Sequence, residues 1–238
     1  MSTVHVLTNK AQTERRRLAD AVAIVIDVLF ATTCIAIAVE RGISEIVPTL
    51  DPETARECAR DLVPGAFLLA GEQGGRPIPG FFEPWPHRLL QEDLSGKRLV
   101  YSTTNGTVAL RMAAGAAAVF AGSVANGKAV VDYVCTNYRD RDIVLICAGV
   151  GTSFALEDFY GAGYLVSLLV ARGEFHLTDV ARAAQLLHDR SAAMECIADT
   201  YTGRMLTAQG LADDLTICAS KNSVDAVPMY RDGWITRA

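Results

Sequence analysis

An α/β fold follows from three observations: short continuous apolar runs, Ala- and Leu-rich helical stretches between them, and a repeated strand–turn–helix unit. Strands covered on both faces read as unbroken apolar runs, whereas half-exposed strands alternate. Runs at 4–7, 22–26, 46–49, 67–70, 99–101, 118–121 and 143–146 are mostly unbroken. Helices are expected over about 32–41, 51–61, 105–114, 125–138 and 154–172, with a longer one over about 178–208. Alternation at these lengths predicts a three-layer α/β/α arrangement around a mixed, largely parallel sheet.

Composition narrows the function classes. Half of the 238 residues are hydrophobic and 21% are charged, which describes a well-buried globular chain. No Pro-, Gly- or Ser-rich linker divides it, so one domain over 1–238 is expected, with two similar α/β halves as a further reading. The net charge of −5 excludes a nucleic-acid binder that relies on a general basic field. The one basic run, "RRR" at 15–17, reads as a solvated turn. Six scattered cysteines form no CxxC or Cys/His cluster, which disfavours zinc and a disulfide framework. The opening "MSTVHVLTNK" has no long apolar run, so neither a signal peptide nor a membrane anchor is expected, and the cytoplasm is the default location. An Ala-rich α/β chain of this size is expected to form a homodimer.

The repeated unit is visible in "VIDVLFATTCIAIAVERGISEIVP" and "LVYSTTNGTVALRMAAGAAAVFAG", and "IVLICAGVGTSFALEDFYGAGYLV" begins the same way. Each places hydroxyl or glycine residues between a strand's carboxyl end and a helix start. Hydroxyls there cap free N–H groups, and the helix dipole favours anions. One such turn is an ordinary cap; three together in an α/β sheet indicate a ligand crevice at the strand ends. The long segment "GEQGGRPIPGFFEPWPHR" at 71–88 is a loop of the length that usually carries function.

Acids end two of the apolar runs. Asp27 closes "AIVID" and Glu72 closes "FLLAGE". A buried carboxylate needs a cation, hydrogen-bond donors or water, so Asp27 either binds nearby backbone N–H groups or serves as a metal ligand or catalytic acid. Two strand-end acids beside anion-friendly turns point to a hard divalent cation, and Mg2+ suits such oxygen ligands better than zinc. Glu157 and Asp158 fall in the first turn of a helix, where the dipole favours acids regardless of function. As neighbours they point in different directions, and one of them can face the crevice. "AGVGTS" lacks the remaining features of a dinucleotide fingerprint, and the chain has neither a P-loop nor a nucleophile elbow.

Five motifs in order, "VIDVLxATT", "GExGG…IPGF", "STTNGT", "ICAG…LEDFYGAG" and "LTICASKNSVDAVPMY", resemble those of the 2-phosphosulfolactate phosphatase (ComB-type) family. The resemblance runs from about Val22 to Trp234. It implies an α/β/α fold and a magnesium-dependent phosphatase acting on a small phosphate ester, in the known family reaction a dianionic hydroxy-sulfonate ester. It places Asp27, Glu72, Thr103, Thr104, Asn105, Glu157 and Asp158 at or near the site. Asp27, Glu72 and Asp158 are the catalytic candidates, and Asp27, Glu72 and Glu157 the metal candidates. Thr32, Thr33, Thr103, Thr104, Asn105, Arg76 and Phe30 are the candidates for contacting substrate and phosphate.

The departures concentrate on cations. Where the family typically reads "VIDVLRA" this chain has Phe30, and where it reads "GERGG" the chain has Gln73. "LKIPGFDLGNSP" becomes "RPIPGFFEPWPH", with Pro77 for a lysine and Phe82 for an aspartate, and with residues around Glu83–Pro86 replacing "GNSP". Arg76 is the one cation gained. Charged hydrogen bonds are worth roughly 1.5–3 kcal/mol each, so these losses weaken a multiply charged small substrate by several kcal/mol. Phe30, Phe81, Phe82 and Trp85 make the region aromatic. The expectation is a phosphatase retargeted to a less anionic, larger or flat-ringed ester. The alternatives are the parent 2-phosphosulfolactate activity or a homologue that binds without turnover.

Overall fold

The computed structural model describes residues 1–15 and 18–238. Among the described residues eleven strands form one mixed sheet. In spatial order these are β5 (Arg76–Pro77), β4 (Phe67–Gln73), β6 (Arg98–Ser102), β3 (Glu45–Thr49), β11 (Trp234–Arg237), β10 (Pro228–Arg231), β7 (Ala118–Gly122), β2 (Val22–Ile26), β8 (Ile143–Cys147), β1 (Thr3–Leu7) and β9 (His176–Leu177). All seven expected strands are present within a few residues of their expected limits.

Pairing divides the sheet into two parallel blocks. β4, β6 and β3 run parallel, and so do β7, β2, β8, β1 and β9. Between them sits the antiparallel β10–β11 hairpin, with β11 antiparallel to β3 and β10 antiparallel to β7. Three reversals make the two blocks run in opposite senses. Residues at or just after the carboxyl ends of β2, β4, β6 and β8 nevertheless line one pocket.

The unbroken apolar runs are explained by coverage on both faces: every residue of β2, β7 and β8 is buried. Helix α1 (Ala31–Glu40) is buried from Ala31 to Val39, which suits its small and β-branched residues. Helix α2 (Pro52–Ala59) starts where Asp51 accepts the Thr54 N–H at 2.7 Å and proline takes the first helical position. Helices α4 (Gly106–Met112), α5 (Gly127–Asn137) and α6 (Leu156–Arg172) complete the main crossovers.

The single long helix expected over 178–208 is instead three: α7 (Asp179–Arg190), α8 (Ala193–Ala198) and α9 (Tyr201–Ala208). Ser191 turns extended and ends α7, and the Thr200 hydroxyl accepts the Gly203 N–H at 2.9 Å to start α9. Helices α3 (Pro86–Gln91) and α10 (Ala212–Ala219) and the C-terminal hairpin were also not anticipated. The hairpin had a legible signal, because Asp232 and Gly233 carry the paired positive φ angles (52° and 93°) of an Asp-Gly turn. Most of the "RRR" run, Arg16 and Arg17, lies outside the described residues. Among the described residues no helix is long and apolar enough to cross a membrane.

Candidate active site

A cavity of about 230 Å3 opens at the converging strand ends. Its floor carries Asp27, Glu72, Glu157 and Asp158, and the turn Thr103–Asn105 lines one side. Leu29, Phe30, Pro84, Trp85, Tyr101 and Met205 supply an apolar part of the lining. The four acids that the sequence singled out are therefore brought together.

Asp27 follows the last residue of β2 and is buried. Its Oδ1 accepts one long hydrogen bond, 3.3 Å from the Ala31 N–H. Burial, the nearby Glu72 charge and Glu157 push its carboxyl up to about 7, against smaller opposing pulls from the Ala31 N–H and Lys10. The start of α4 presses on it: a Cβ at Gly106 would lie 2.6 Å from Asp27 Oδ2, so only glycine allows this approach.

Asp158 is engaged differently. Its Oδ1 accepts the Val28 N–H and its Oδ2 the Gly149 N–H, both at 2.9 Å, so it ties the turn after β2 to the turn after β8. Burial first, then Asp27 and Glu157, hold its carboxyl well above the ordinary carboxylate range. Gly149 has φ +68°, and a Cβ there would fall 2.2 Å from Asn9 Nδ2, so this turn requires glycine. Glu72 is anchored as well: Oε1 accepts the Thr104 N–H at 2.6 Å, and Oε2 accepts the Gly75 N–H at 2.8 Å and the Thr104 hydroxyl at 3.2 Å. Glu157 is 3% exposed, and its carboxylate accepts no hydrogen bond from the described residues.

Lys10, which the sequence reading passed over, lies beneath these groups on a 3₁₀ turn (Lys10–Arg15). Its buried ammonium donates to Asn105 Oδ1 (2.7 Å), the Ala148 carbonyl (3.0 Å) and the Gly151 carbonyl (2.9 Å). Three donors thus meet three acceptors, and the lysine has no hydrogen left for a ligand. Burial lowers its affinity for the proton, while Asp27 and Asp158 work in the opposite direction. Asn105 Oδ1 also accepts the Gly151 N–H at 2.9 Å. Both of its neighbours are donors, which fixes the amide orientation and leaves Nδ2, bonded to no described group, for the pocket.

The hydroxyl turns differ from simple caps. Thr32 and Thr33 lie inside α1, fully buried and away from the cavity. The Thr32 hydroxyl accepts the Asp27 N–H and donates to the Asp27 carbonyl, each at 2.9 Å, and Thr33 donates to the Val28 carbonyl at 3.0 Å. They shape the turn that holds Asp27. Thr103 does act as a cap, accepting the Thr107 N–H at 3.0 Å. Thr104 takes the Gly74 N–H at 2.8 Å. Arg76, on the edge strand β5, is exposed and does not line the cavity. Phe30 does line it, as does Trp85, and the Leu29–Phe30 peptide bond is cis.

Among the described residues no three His, Cys, Asp or Glu side chains form a ready metal-binding group. Two of the acids are committed to N–H groups, whereas Glu157 is unpartnered and Asp27 nearly so. Mg2+ is characteristically held by one or two carboxylates together with waters and substrate phosphate, so Asp27 and Glu157 fit it as donors.

Acids, an oriented amide and an apolar wall at the carboxyl ends of sheet strands make this the crevice of an α/β enzyme. The chain belongs to the 2-phosphosulpholactate phosphatase family, a family of phosphoric monoester hydrolases, whose profile matches residues 7–233. Proteins named "Probable 2-phosphosulfolactate phosphatase" are similar over most of their length. One from Carboxydothermus hydrogenoformans is 38% identical over 88% of this chain and 86% of its own. One from Symbiobacterium thermophilum is 36% identical over 92% and 94%, and one from Clostridium perfringens (strain SM101) 34% identical over 98% and 95%.

Proposed function

We propose that this protein is a Mg2+-dependent phosphatase whose substrate is a small phosphate monoester with an apolar or aromatic organic part. The carrying observation is the contact of Phe30 with Trp85, rings edge to face with centroids 5.6 Å apart, in the cavity that the four acids also line. No arginine or lysine lines the cavity among the described residues. A second anion on the substrate would therefore meet aromatic edges and carboxylates in place of guanidinium groups, which costs affinity. An adjoining groove carries exposed Val150, Phe154, Leu156 and Tyr201 beside Asp199 and Arg204, which pair with each other.

In this reading Asp27 and Glu157 hold Mg2+, and the ion supplies charge neutralisation and polarisation of the phosphoryl oxygens. Asn105 offers its Nδ2 hydrogens to a phosphate oxygen, in an orientation set by Lys10 and Gly151. Glu72 keeps the 72–75 turn against Thr104, and Asp158 fixes the turn that follows Asp27 to the turn after β8. The aromatic wall orients the organic group and excludes water from that side. Cytoplasmic location is part of the same proposal.

Phosphate release measured over varied phosphomonoesters, with Mg2+ and with EDTA, tests it. Aryl or apolar esters should turn over best, and only with Mg2+. Highest efficiency on 2-phosphosulfolactate would return the chain to the parent activity, and no release from any ester would favour a binding protein.

A further inference from the structure

Outside the lining of the phosphatase cavity, Lys221 and His188 form a second reactive arrangement. Lys221 Nζ lies 2.8 Å from His188 Nε2. On the other side of the ring, Nδ1 is 2.9 Å from Asp189 Oδ1 and 3.1 Å from Ser167 Oγ, and the Ser167 hydroxyl donates to the same Asp189 oxygen at 2.8 Å. A carboxylate facing Nδ1 places the ring proton there, so Nε2 presents its lone pair to the lysine. Burial also lowers the proton affinity of His188 and of Lys221, with Asp189 acting in the opposite direction on both.

The chain has four lysines, which makes the contrast clear. Lys97 and Lys128 pair with carboxylates, Glu92 at 3.4 Å and Asp132 at 2.7 Å, and Lys10 is sealed under the phosphatase site. Lys221 alone hydrogen-bonds a base, and it is exposed. Its position is fixed: the ammonium sits over the Tyr164 and Tyr160 rings at 4.9 and 5.8 Å, and the next residue, Asn222, accepts the Tyr164 hydroxyl at 2.7 Å and the Lys128 N–H at 3.1 Å.

We infer that Lys221 is a modification site, a nucleophilic amine that His188 activates toward activated acyl donors, namely acyl phosphates and acyl thioesters. The ammonium passes one proton to His188 Nε2, and the freed nitrogen lone pair attacks the acyl carbonyl. A C–N bond forms, the C–O bond to phosphate or C–S bond to thiolate breaks, and the leaving group departs with the electron pair. The nitrogen then releases a second proton to water, which leaves a neutral amide, and His188 returns its proton to solvent. Loss of the charge removes the cation–π contact with Tyr164.

The test treats the full chain with acetyl phosphate and, separately, with a small acetyl thioester, and follows acetylation of each lysine by peptide mass spectrometry. Lys221 should react about ten-fold or more faster than Lys97 and Lys128 with both donors, the scale of positioned general-base catalysis or below it. His188→Gln should bring Lys221 down to the rate of those two lysines while leaving theirs unchanged, which also verifies folding. Equal rates in the unaltered chain would overturn the inference. So would a fast Lys221 in the His188→Gln variant, or acceleration with acetyl phosphate alone, since that would show anion binding in place of base activation. The result is independent of whether the cavity hydrolyses any phosphate ester.

Discussion

Lys10 and Asn105 stand 95 positions apart in the chain, and the lysine Nζ donates to the asparagine Oδ1 over 2.7 Å. That bond, with the two to the Ala148 and Gly151 carbonyls, joins the 3₁₀ turn after β1 to the turns after β6 and β8. An ammonium that does not line the cavity thereby determines which end of the Asn105 amide faces it.

Lys10→Met should therefore lower kcat more than it raises KM. It leaves the Ala148 carbonyl without its donor, takes one of two donors from Asn105 Oδ1 and from the Gly151 carbonyl, and removes a cation that acts on Asp27 and Asp158. A fall of about 10- to 100-fold in kcat is expected, with a loss of about 2–4 kcal/mol in stability. Steady-state kinetics and urea unfolding check both, and an unchanged kcat would show that Asn105 needs no such restraint.

Protonation of the acid floor gives a second expectation. Asp27 titrates near 7 in the fold and in the ordinary carboxylate range when unfolded, so between those values the folded state binds the extra proton. Stability without divalent cations should accordingly fall as pH rises from about 4 to 7, by a few kcal/mol, and then level off. Asp158, raised for the same reasons, adds with the same sign. Melting temperatures in EDTA across this range should slope downward, and Asp27→Asn should flatten part of the slope.

Glu157 and Glu72 should separate in a magnesium titration. Glu157 makes no hydrogen bond to a described residue, so Glu157→Gln should weaken Mg2+ by about ten-fold or more with little loss of stability in EDTA. Glu72→Gln keeps one acceptor oxygen and turns the other into a donor facing the N–H of Thr104 or Gly75, so it should cost about 1–3 kcal/mol of stability as well. Calorimetric Mg2+ binding and thermal melts distinguish the two; equal Mg2+ affinity in Glu157→Gln and the unaltered chain would remove Glu157 from the proposed ligands.

Phe30→Arg tests the aromatic wall. Loss of the packing against Trp85 should cost about 2–4 kcal/mol. The ratio of kcat/KM for an ester carrying a second anion to that for an aryl phosphate should rise about ten-fold or more. An unchanged ratio would mean that position 30 does not select the substrate.

Much of the fold was readable because burial on both faces leaves an uninterrupted apolar signature, as in β2, β7 and β8. Asp27 and Glu72 were readable for the opposite reason, since a charge ending such a run demands an explanation. Lys10 carried no such mark: a lone lysine in a polar segment looks solvated, and only tertiary structure lays it under Asn105. Thr32 and Thr33 were located at the correct turn, but their hydroxyls satisfy the main chain that carries Asp27 and do not reach the cavity. The division of 178–208 was missed because its breaks at Ser191 and Thr200 use residues that helices also tolerate.

The placement of the β10–β11 hairpin bears on how the chain can be made in a cell. Its strands are the last in order yet join the two parallel blocks of the sheet. Until residue 237 has left the ribosome, β3 and β7 each present an unpaired edge, and the halves that hold Glu72 and Asp27 are not joined through the sheet. The joined sheet must then form late, after this hairpin, with two exposed edges open to wrong partners in the interval. Cellular yield should depend more on chaperone supply than the stability of the finished sheet would suggest.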